Sequence, residues 1–261
     1  MVSLTIFLKG ILMGFADVLP GISGATVAIL VGIYDQLIKS FDHVFFHLFS
    51  KKLFSKELLF LINLYAGVGL GIIILSRLLG WLFNIYKSEV YAFIIGLIVS
   101  SGIILLNKNR KLFRNFTSFY FFSLGLFLAV LFSMLSFSIS QHNEVILLIS
   151  GFLAMCAMIL PGISGSYLLL MLNQYEYVIS LVNSFSPKLI YFAIGLFLGV
   201  GLMARLLKIL LNKFRIQTLC FLIGLIFGGL YFPFKMVQLN FIAMILFLIG
   251  LSIGYTLEVL R

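Results

Sequence analysis

Apolar positions run in long blocks rather than alternating with polar ones: Leu58 to Phe83, Val90 to Leu106, Phe116 to Phe137, Leu189 to Leu211, Thr218 to Phe232 and Leu239 to Leu257. Blocks of that length, apolar on every face, predict membrane-spanning helices. Two further apolar stretches are interrupted, one by Leu19-Pro20-Gly21-Ile22-Ser23-Gly24 and one by Leu160-Pro161-Gly162-Ile163-Ser164-Gly165. Pro-Gly cannot continue a helix, and each flanking arm is about fifteen residues, roughly 22 Å at the helical rise. Such arms fall short of the roughly 30 Å hydrocarbon core. Each broken stretch is therefore either a hairpin that enters and leaves on one face or one broken helix that crosses.

The interrupted stretches are copies of each other. They lie 141 residues apart, and at that offset Gly10 matches Gly151, Ala16 matches Ala157 and Tyr34 matches Tyr175. Further on the offset is 128: Gly67, Gly71, Arg77 and Leu78-Leu79 match Gly195, Gly199, Arg205 and Leu206-Leu207, and Phe93 matches Phe221. The difference is a 13-residue excess in the first half, around Ser40 to Glu57. Residues 1–140 and 141–261 thus read as two internal repeats of one integral membrane domain, 1–261.

Charge decides between the two forms of the broken stretch, because cytoplasmic loops collect Lys and Arg. With both stretches as re-entrant hairpins, 14 of the 18 basic residues fall on one side, and the other side keeps Arg77, Lys87, Lys188 and Lys235. With both crossing, the split is 10 to 8. The hairpin form fits. A hairpin plus three crossings per half is an odd number of crossings, so the second repeat is inverted relative to the first. The expected fold is an all-α polytopic membrane protein of two inverted-topology repeats, each a re-entrant helical hairpin plus three transmembrane helices. Both termini are expected to be cytoplasmic.

Composition agrees with this. Of 261 residues 62% are hydrophobic, the mean hydropathy is +1.21, and only 26 residues carry a full charge, too little polar surface to cover a water-soluble globule. The net charge of +10 would suggest nucleic acid in a soluble protein, but here the basic residues sit in short loops, where orientation in the bilayer explains them. No nucleic-acid partner is expected. Cys156 and Cys220 lie inside apolar segments without metal-binding or disulfide spacing. Met1 to Leu8 reaches apolar sequence without a charged leader, so no removable signal peptide is expected.

Two hairpins entering from opposite faces bring their Pro-Gly tips together near the midplane, where a transporter's substrate site is expected. After each tip a half-helix begins, with Ser23 or Ser164 placed to cap it and with free N–H groups facing the tip. A Gly-rich turn leading into a helix start suits an anion such as phosphate. The candidate site is therefore Pro20, Gly21, Ser23, Gly24 and Thr26 with Pro161, Gly162, Ser164, Gly165 and Ser166. The plainer alternative is that each tip merely turns the chain. Arg77 and Arg205, at matched positions well along spanning helices and in opposite leaflets under inverted topology, add forks suited to phosphate, although Arg205 could instead reach the interface beside Lys208. The Gly-x3-Gly pairs before them are expected to pack helices closely.

Asp17 has no counterpart, because Met158 stands at its matching position. Near the C-terminal end of its half-helix a carboxylate is poorly placed. It is expected to take a proton, which would couple transport to protons, or to pair with a cation or a backbone N–H. Asp35 and Glu176 follow the matched tyrosines and read as interfacial capping or anchoring groups. His43 and His47 stand four residues apart in a stretch that reads as an amphipathic helix on the cytoplasmic surface, with Lys51, Lys52 and Lys56 beside it. No metal site is expected there, and His142 in the outer loop carries no signal.

The string Gly10-x3-Gly14-x2-Asp17-x2-Pro20-Gly21-Ile22-Ser23-Gly24-Ala25-Thr26-x5-Gly32-Ile33-Tyr34, with its echo in the second half, resembles the bacterial DUF368 family of polyprenyl-phosphate (undecaprenyl-phosphate) translocases. The resemblance runs the whole length, although Gly14 and Asp17 become Met155 and Met158 in the echo. It implies a translocase, not an enzyme, in the bacterial cytoplasmic membrane. Such a protein returns the lipid carrier from the outer to the inner leaflet for cell-envelope synthesis. The partners implied are undecaprenyl phosphate and bilayer lipids, with no cofactor and with protons or sodium as the coupling ion. The phosphate head needs a polar path while the tail stays in lipid. Undecaprenyl-pyrophosphate phosphatases share a PGxSRSxxT motif, but Gly24 and Gly165 stand where its Arg would be and no paired glutamates follow. That enzyme, and a proton-coupled transporter of another anion, are the alternatives.

Overall fold

The computed structural model describes residues 3–18, 23–47, 55–108, 115–134, 143–238 and 240–259, with backbone alone for 18, 75–85, 101, 104, 105, 107, 108, 183 and 257–259. Twelve helices are resolved among them: α1 (Leu4–Val18), α2 (Gly24–Leu30), α3 (Tyr34–Phe46), α4 (Lys56–Lys108), α5 (Phe116–Met134), α6 (Glu144–Ile159), α7 (Gly165–Met171), α8 (Tyr175–Asn183), α9 (Leu189–Lys213), α10 (Arg215–Gly229), α11 (Tyr231–Lys235) and α12 (Phe241–Val259). No strand occurs among the described residues. Among the described residues four stretches are long and apolar enough to cross a bilayer: Lys56–Ile74, Phe116–Met134, Leu189–Lys213 and Arg215–Lys235. The chain is a polytopic helical membrane protein.

Three features go beyond the sequence expectation. The blocks 58–83 and 90–106 form two helices, as expected, but no loop separates them: α4 is both, joined at a kink whose non-helical residue is Tyr86 (φ −126°, ψ 36°). No Pro or Gly stands between Trp81 and Val90 to force a break. Phe214, 128 residues after Tyr86, has nearly the same conformation (φ −129°, ψ 48°) and separates α9 from α10. Both halves therefore bend at corresponding positions.

The arm after each tip is not one helix of about fifteen residues either. It stops after seven residues, in α2 and in α7, and restarts as α3 or α8. A left-handed residue makes each stop, Gly32 (φ 73°) in the first half and Asn173 (φ 57°) in the second. Gly32 N–H donates to Ile29 O (3.0 Å) and Ile33 N–H to Ala28 O (2.9 Å); Asn173 N–H donates to Leu170 O (3.0 Å) and Gln174 N–H to Leu169 O (2.9 Å). That pair of bonds is the Schellman ending, which closes a helix by satisfying its last carbonyls. Glycine takes a positive φ without strain, and asparagine tolerates it better than most residues.

Third, α3 is more than a surface helix. Tyr34, Leu37, Ile38, Ser40 and Asp42 are buried along one side of it, which packs on α9 and α4.

Glycine sets how closely the helices approach. In the α1–α4 pair, a Cβ on Gly10 would strike Leu64 O and one on Gly67 would strike Phe7 O; in the α6–α9 pair, Gly151 meets Phe192 O and Gly195 meets Leu148 O. The same backbone-to-backbone contact joins α4 to α12 through Gly96 and Gly250, and α5 to α10 through Gly125 and Gly224. Without a hydrophobic drive between helices in lipid, such close packing is a main source of association. Around it lies a core in which Ala28, Ile38, Leu64 and Leu222 are fully buried.

Replacing Gly67 or Gly195 with Leu should therefore separate α1 from α4 or α6 from α9 and lower the unfolding midpoint in detergent by about 10 °C or more, on the scale of severe overpacking. Gly69→Leu should change it little, since a Cβ there meets nothing within 4 Å. Equal effects at positions 67 and 69 would contradict the packing.

Candidate functional site

Each break folds its half-helix back against the preceding helix. In the first half Gly24 N–H donates to Asp17 Oδ1 (2.7 Å) at the tip, and at the other end Lys9 Nζ donates to Val31 O (2.8 Å), so α1 and α2 lie antiparallel. In the second half Gly165 packs on Ala154 of α6, where a Cβ would come within 2.6 Å of Ala154 O. Ser23 and Ser164 occupy the N-cap positions of α2 and α7, and both are extended there. Ser23 Oγ accepts from Ala25 N–H (3.2 Å), and Ser164 Oγ accepts from Tyr167 N–H (3.4 Å).

The two tips meet. Gly162 N–H donates to Thr26 Oγ1 at 2.8 Å, directly joining the halves. Ser23 Oγ lies 3.3 Å from Met158 O and 3.4 Å from Leu160 O, and the buried Tyr34 hydroxyl donates to Ile159 O at 3.1 Å. These carbonyls and the Gly162 N–H belong to the end of α6 and the turn after it, where no helical partner remains. Gly162 (φ 83°) also abuts Leu225 and Gly229 of α10, a position where both the conformation and the space exclude a side chain.

Beside this contact lies a cavity of about 190 Å³, lined at its polar end by Asp17, Ser23, Ser164, Gly165 and Ser166 and elsewhere by Ala154, Met158, Leu169, Phe192 and Leu196. Ser164 Oγ and Ser166 Oγ are 2.9 Å apart. The tips differ in their donors. At the first, Gly24 N–H is occupied by the Asp17 carboxylate, Ala25 N–H by Ser23 Oγ and Thr26 N–H by Ser23 O (2.9 Å). At the second, no carboxylate intervenes, because Met158 stands at the position matching Asp17. The cavity is mostly apolar with a few converging polar groups, and it is smaller than the roughly 300 Å³ and upward of small-molecule pockets, so its size suits a single small polar group.

Of the residues singled out from the sequence, Asp17, Ser23, Ser164, Gly165 and Ser166 line this cavity, and Thr26 and Gly162 form the joint next to it. Gly24 donates to Asp17, and Pro161 is fully buried in the turn. Pro20 and Gly21 lie outside the described residues, as do Lys51, Lys52 and His142, and the Arg77 side chain is also outside them.

Arg205 does not line the cavity. Its Nη1 is 3.4 Å from Asp42 Oδ1 and its guanidinium stacks 4.6 Å from the Phe46 ring, while Lys208 Nζ contacts Asp42 Oδ2. Asp42, whose side chain is 4% exposed, is thus a buried carboxylate held between two cations, which is what permits its burial. Asp35 Oδ2 accepts from Arg215 Nη2 at 2.9 Å. The His43 and His47 rings stack at 4.3 Å, with His43 Nε2 4.0 Å from Glu57 Oε2.

Sequence reasoning missed Asp42. Its signal was its place in the apolar stripe Tyr34, Ile38 and Asp42 at four-residue spacing, where an acid requires a partner. It also missed the apolar lining from α9, which carries no motif.

The family model described as undecaprenyl phosphate translocase-like matches residues 13–245. The chain belongs to that family. It is similar to a polyprenyl-phosphate transporter of Vibrio cholerae, 34% identical over 244 residues covering 87% of this chain and 76% of the relative. It is also similar to a polyprenyl-phosphate transporter of Staphylococcus aureus, 29% identical over 96% of this chain and 94% of the relative. No solved structure matches the chain. The matched region includes both tips, the cavity and the Asp42 cluster.

The joint between tips can be tested by removing its acceptor while keeping its shape. Thr26→Val should leave the Gly162 N–H unpaired and cost about 1–3 kcal/mol, seen as a lowered unfolding midpoint, while Thr26→Ser should retain most of the stability. Equal midpoints for the two variants would show that the bond is not formed.

Proposed function

We propose that the chain carries a polyprenyl phosphate, the activity named for its family and for both relatives, from the outer to the inner leaflet of the bacterial cytoplasmic membrane. Undecaprenyl phosphate is the expected form, and reuse of the carrier in envelope synthesis is the expected purpose. The reading rests on one observation above all: two helix breaks meet beside a cavity lined by Ser23, Ser164, Gly165 and Ser166. In this account the phosphate head is bound by Ser164 and Ser166 and the N–H groups of Gly165 and Ser166, with Ser23 facing it, and the prenyl tail stays in lipid. The half-helices are seven residues long, so individual N–H and O–H donors, more than a summed helix dipole, bind the anion.

The two breaks are re-entrant hairpin tips in this account, and the halves are inverted repeats that alternate between outward- and inward-facing arrangements. Matched elements support that reading: N-cap serines 141 residues apart, half-helices of equal length and the bends at Tyr86 and Phe214. Arg77 acts on the outer side to capture the head. Arg205, already committed to Asp42, acts at release.

Asp17 is the coupling group. An ionised carboxylate and a phosphate in one small cavity repel each other, so occupancy favours the protonated acid. Lowering the pH should strengthen binding at this site, and Asp17→Asn should flatten that dependence.

The test is movement of tagged undecaprenyl phosphate between leaflets of proteoliposomes, with released phosphate followed in the same vesicles. The intact protein should move the lipid and release no phosphate. Ser164→Ala with Ser166→Ala should slow transport by roughly ten- to a hundredfold, the scale of lost hydrogen bonds to a charged group. Arg77→Ala should impair uptake from the outer leaflet. Released phosphate would indicate an enzyme, and an unchanged rate in the double serine variant would exclude this site.

A further inference from the structure

Helices α3 and α8 hold corresponding places in the two halves, yet α3 alone is fastened by ion pairs across the molecule among the described residues. Asp35, in its first turn, binds Arg215 at the start of α10, and Asp42 binds Arg205 and Lys208 of α9. Carrying these positions across by the two sequence offsets gives a second set. Asp35 corresponds to Glu176 at 141, and Arg215 corresponds to Lys87 at 128. Charge sign is kept at both positions, although the two offsets are independent. Local structure is kept as well: Glu176 lies in the first turn of α8, as Asp35 does in α3, and Lys87 follows the bend at Tyr86 as Arg215 follows the one at Phe214. Glu176 and Lys87 are both exposed, and neither has an ion-pair partner among the described residues.

We propose that Glu176 and Lys87 form an ion pair in the opposite-facing state of the transporter, in exchange for the Asp35–Arg215 pair, which opens. The proposal rests on the inverted-repeat reading given above. When inverted repeats exchange conformations, each half takes up the arrangement its partner held, so a contact between α3 and the start of α10 is replaced by one between α8 and the second part of α4. Exposed ion pairs are weak and screened by salt, which suits a contact that must open in every cycle.

The exchange is unequal. Arg205 corresponds to Arg77, but Lys208 corresponds to Gly80, and Asp42 lies where the first half is longer, while α8 has no acidic residue after Glu176, so the α8 side lacks a carboxylate between two cations. The state clasped at α3 is therefore the resting one, and Asp42→Asn releases it.

Disulfide trapping tests this in membranes without any lipid substrate. In a background with Cys156→Ala and Cys220→Ala, one variant carries Asp35→Cys with Arg215→Cys and another carries Glu176→Cys with Lys87→Cys. Mild oxidation should link the first pair in high yield, which also reports a folded chain, and the second in low yield. Adding Asp42→Asn should raise the second yield about threefold or more and lower the first, as a modest shift of a two-state equilibrium requires. Failure of the second pair to link in either background while the first does, or loss of the first without gain of the second, would overturn the proposal. Exchange of the links without leaflet transport of undecaprenyl phosphate would leave the gate standing and remove the substrate assignment. Transport without exchange would do the reverse.

Discussion

A break in a helix surrounded by apolar groups exposes peptide N–H and C=O groups that no water can satisfy, and here two such breaks satisfy each other. Gly162 N–H is met by Thr26, the carbonyls of Met158 and Leu160 by Ser23, and that of Ile159 by Tyr34. At the first tip Gly24 N–H is met by Asp17. A polar backbone group left unpaired among apolar side chains is costly, so each tip depends on the other. The glycine contacts between α1 and α4 and between α6 and α9 hold each broken stretch close against its neighbouring helix.

The two tips differ in how their polar groups are met. The first tip has its donors occupied by Asp17 and Ser23, whereas the second turns Ser164 and Ser166 into a cavity without an acid of its own half. A duplicated motif has thus become asymmetric through one position, Asp17 against Met158, and that asymmetry brings a titratable group next to Ser164 and Ser166. The Asp42 cluster is a second asymmetry, because it binds α3 to the opposite half with charges that α8, which has no acid after Glu176, and Gly80 do not reproduce.

Much of this was legible in the sequence because it is local or repeated. Pro-Gly breaks, N-cap serines and Gly-x3-Gly spacing act within a few residues, and the 141-residue offset paired the tips before their contact was seen. The shortness of α2 and α7 was less legible, since Gly32 and Asn173 stop a helix by a left-handed turn that apolar periodicity does not register. The two helices of α4 were legible as separate apolar blocks, but not the form of the join, since the chain needs only one non-helical residue, Tyr86, to bend there. The partners of Asp42 could not be read at all. Arg205 lies 163 residues away and became its neighbour through the packing of α3 on α9, which no local pattern encodes.

The central claim is that the lipid's phosphate sits where the two breaks meet. Photocrosslinking with an undecaprenyl phosphate analogue that carries a diazirine next to the phosphate, followed by peptide mapping, tests it most directly. Adducts are predicted on the segments around Asp17 to Thr26 and Ala154 to Leu169, and they should be lost on competition with unlabelled lipid. Competed adducts confined to other helices would contradict the account.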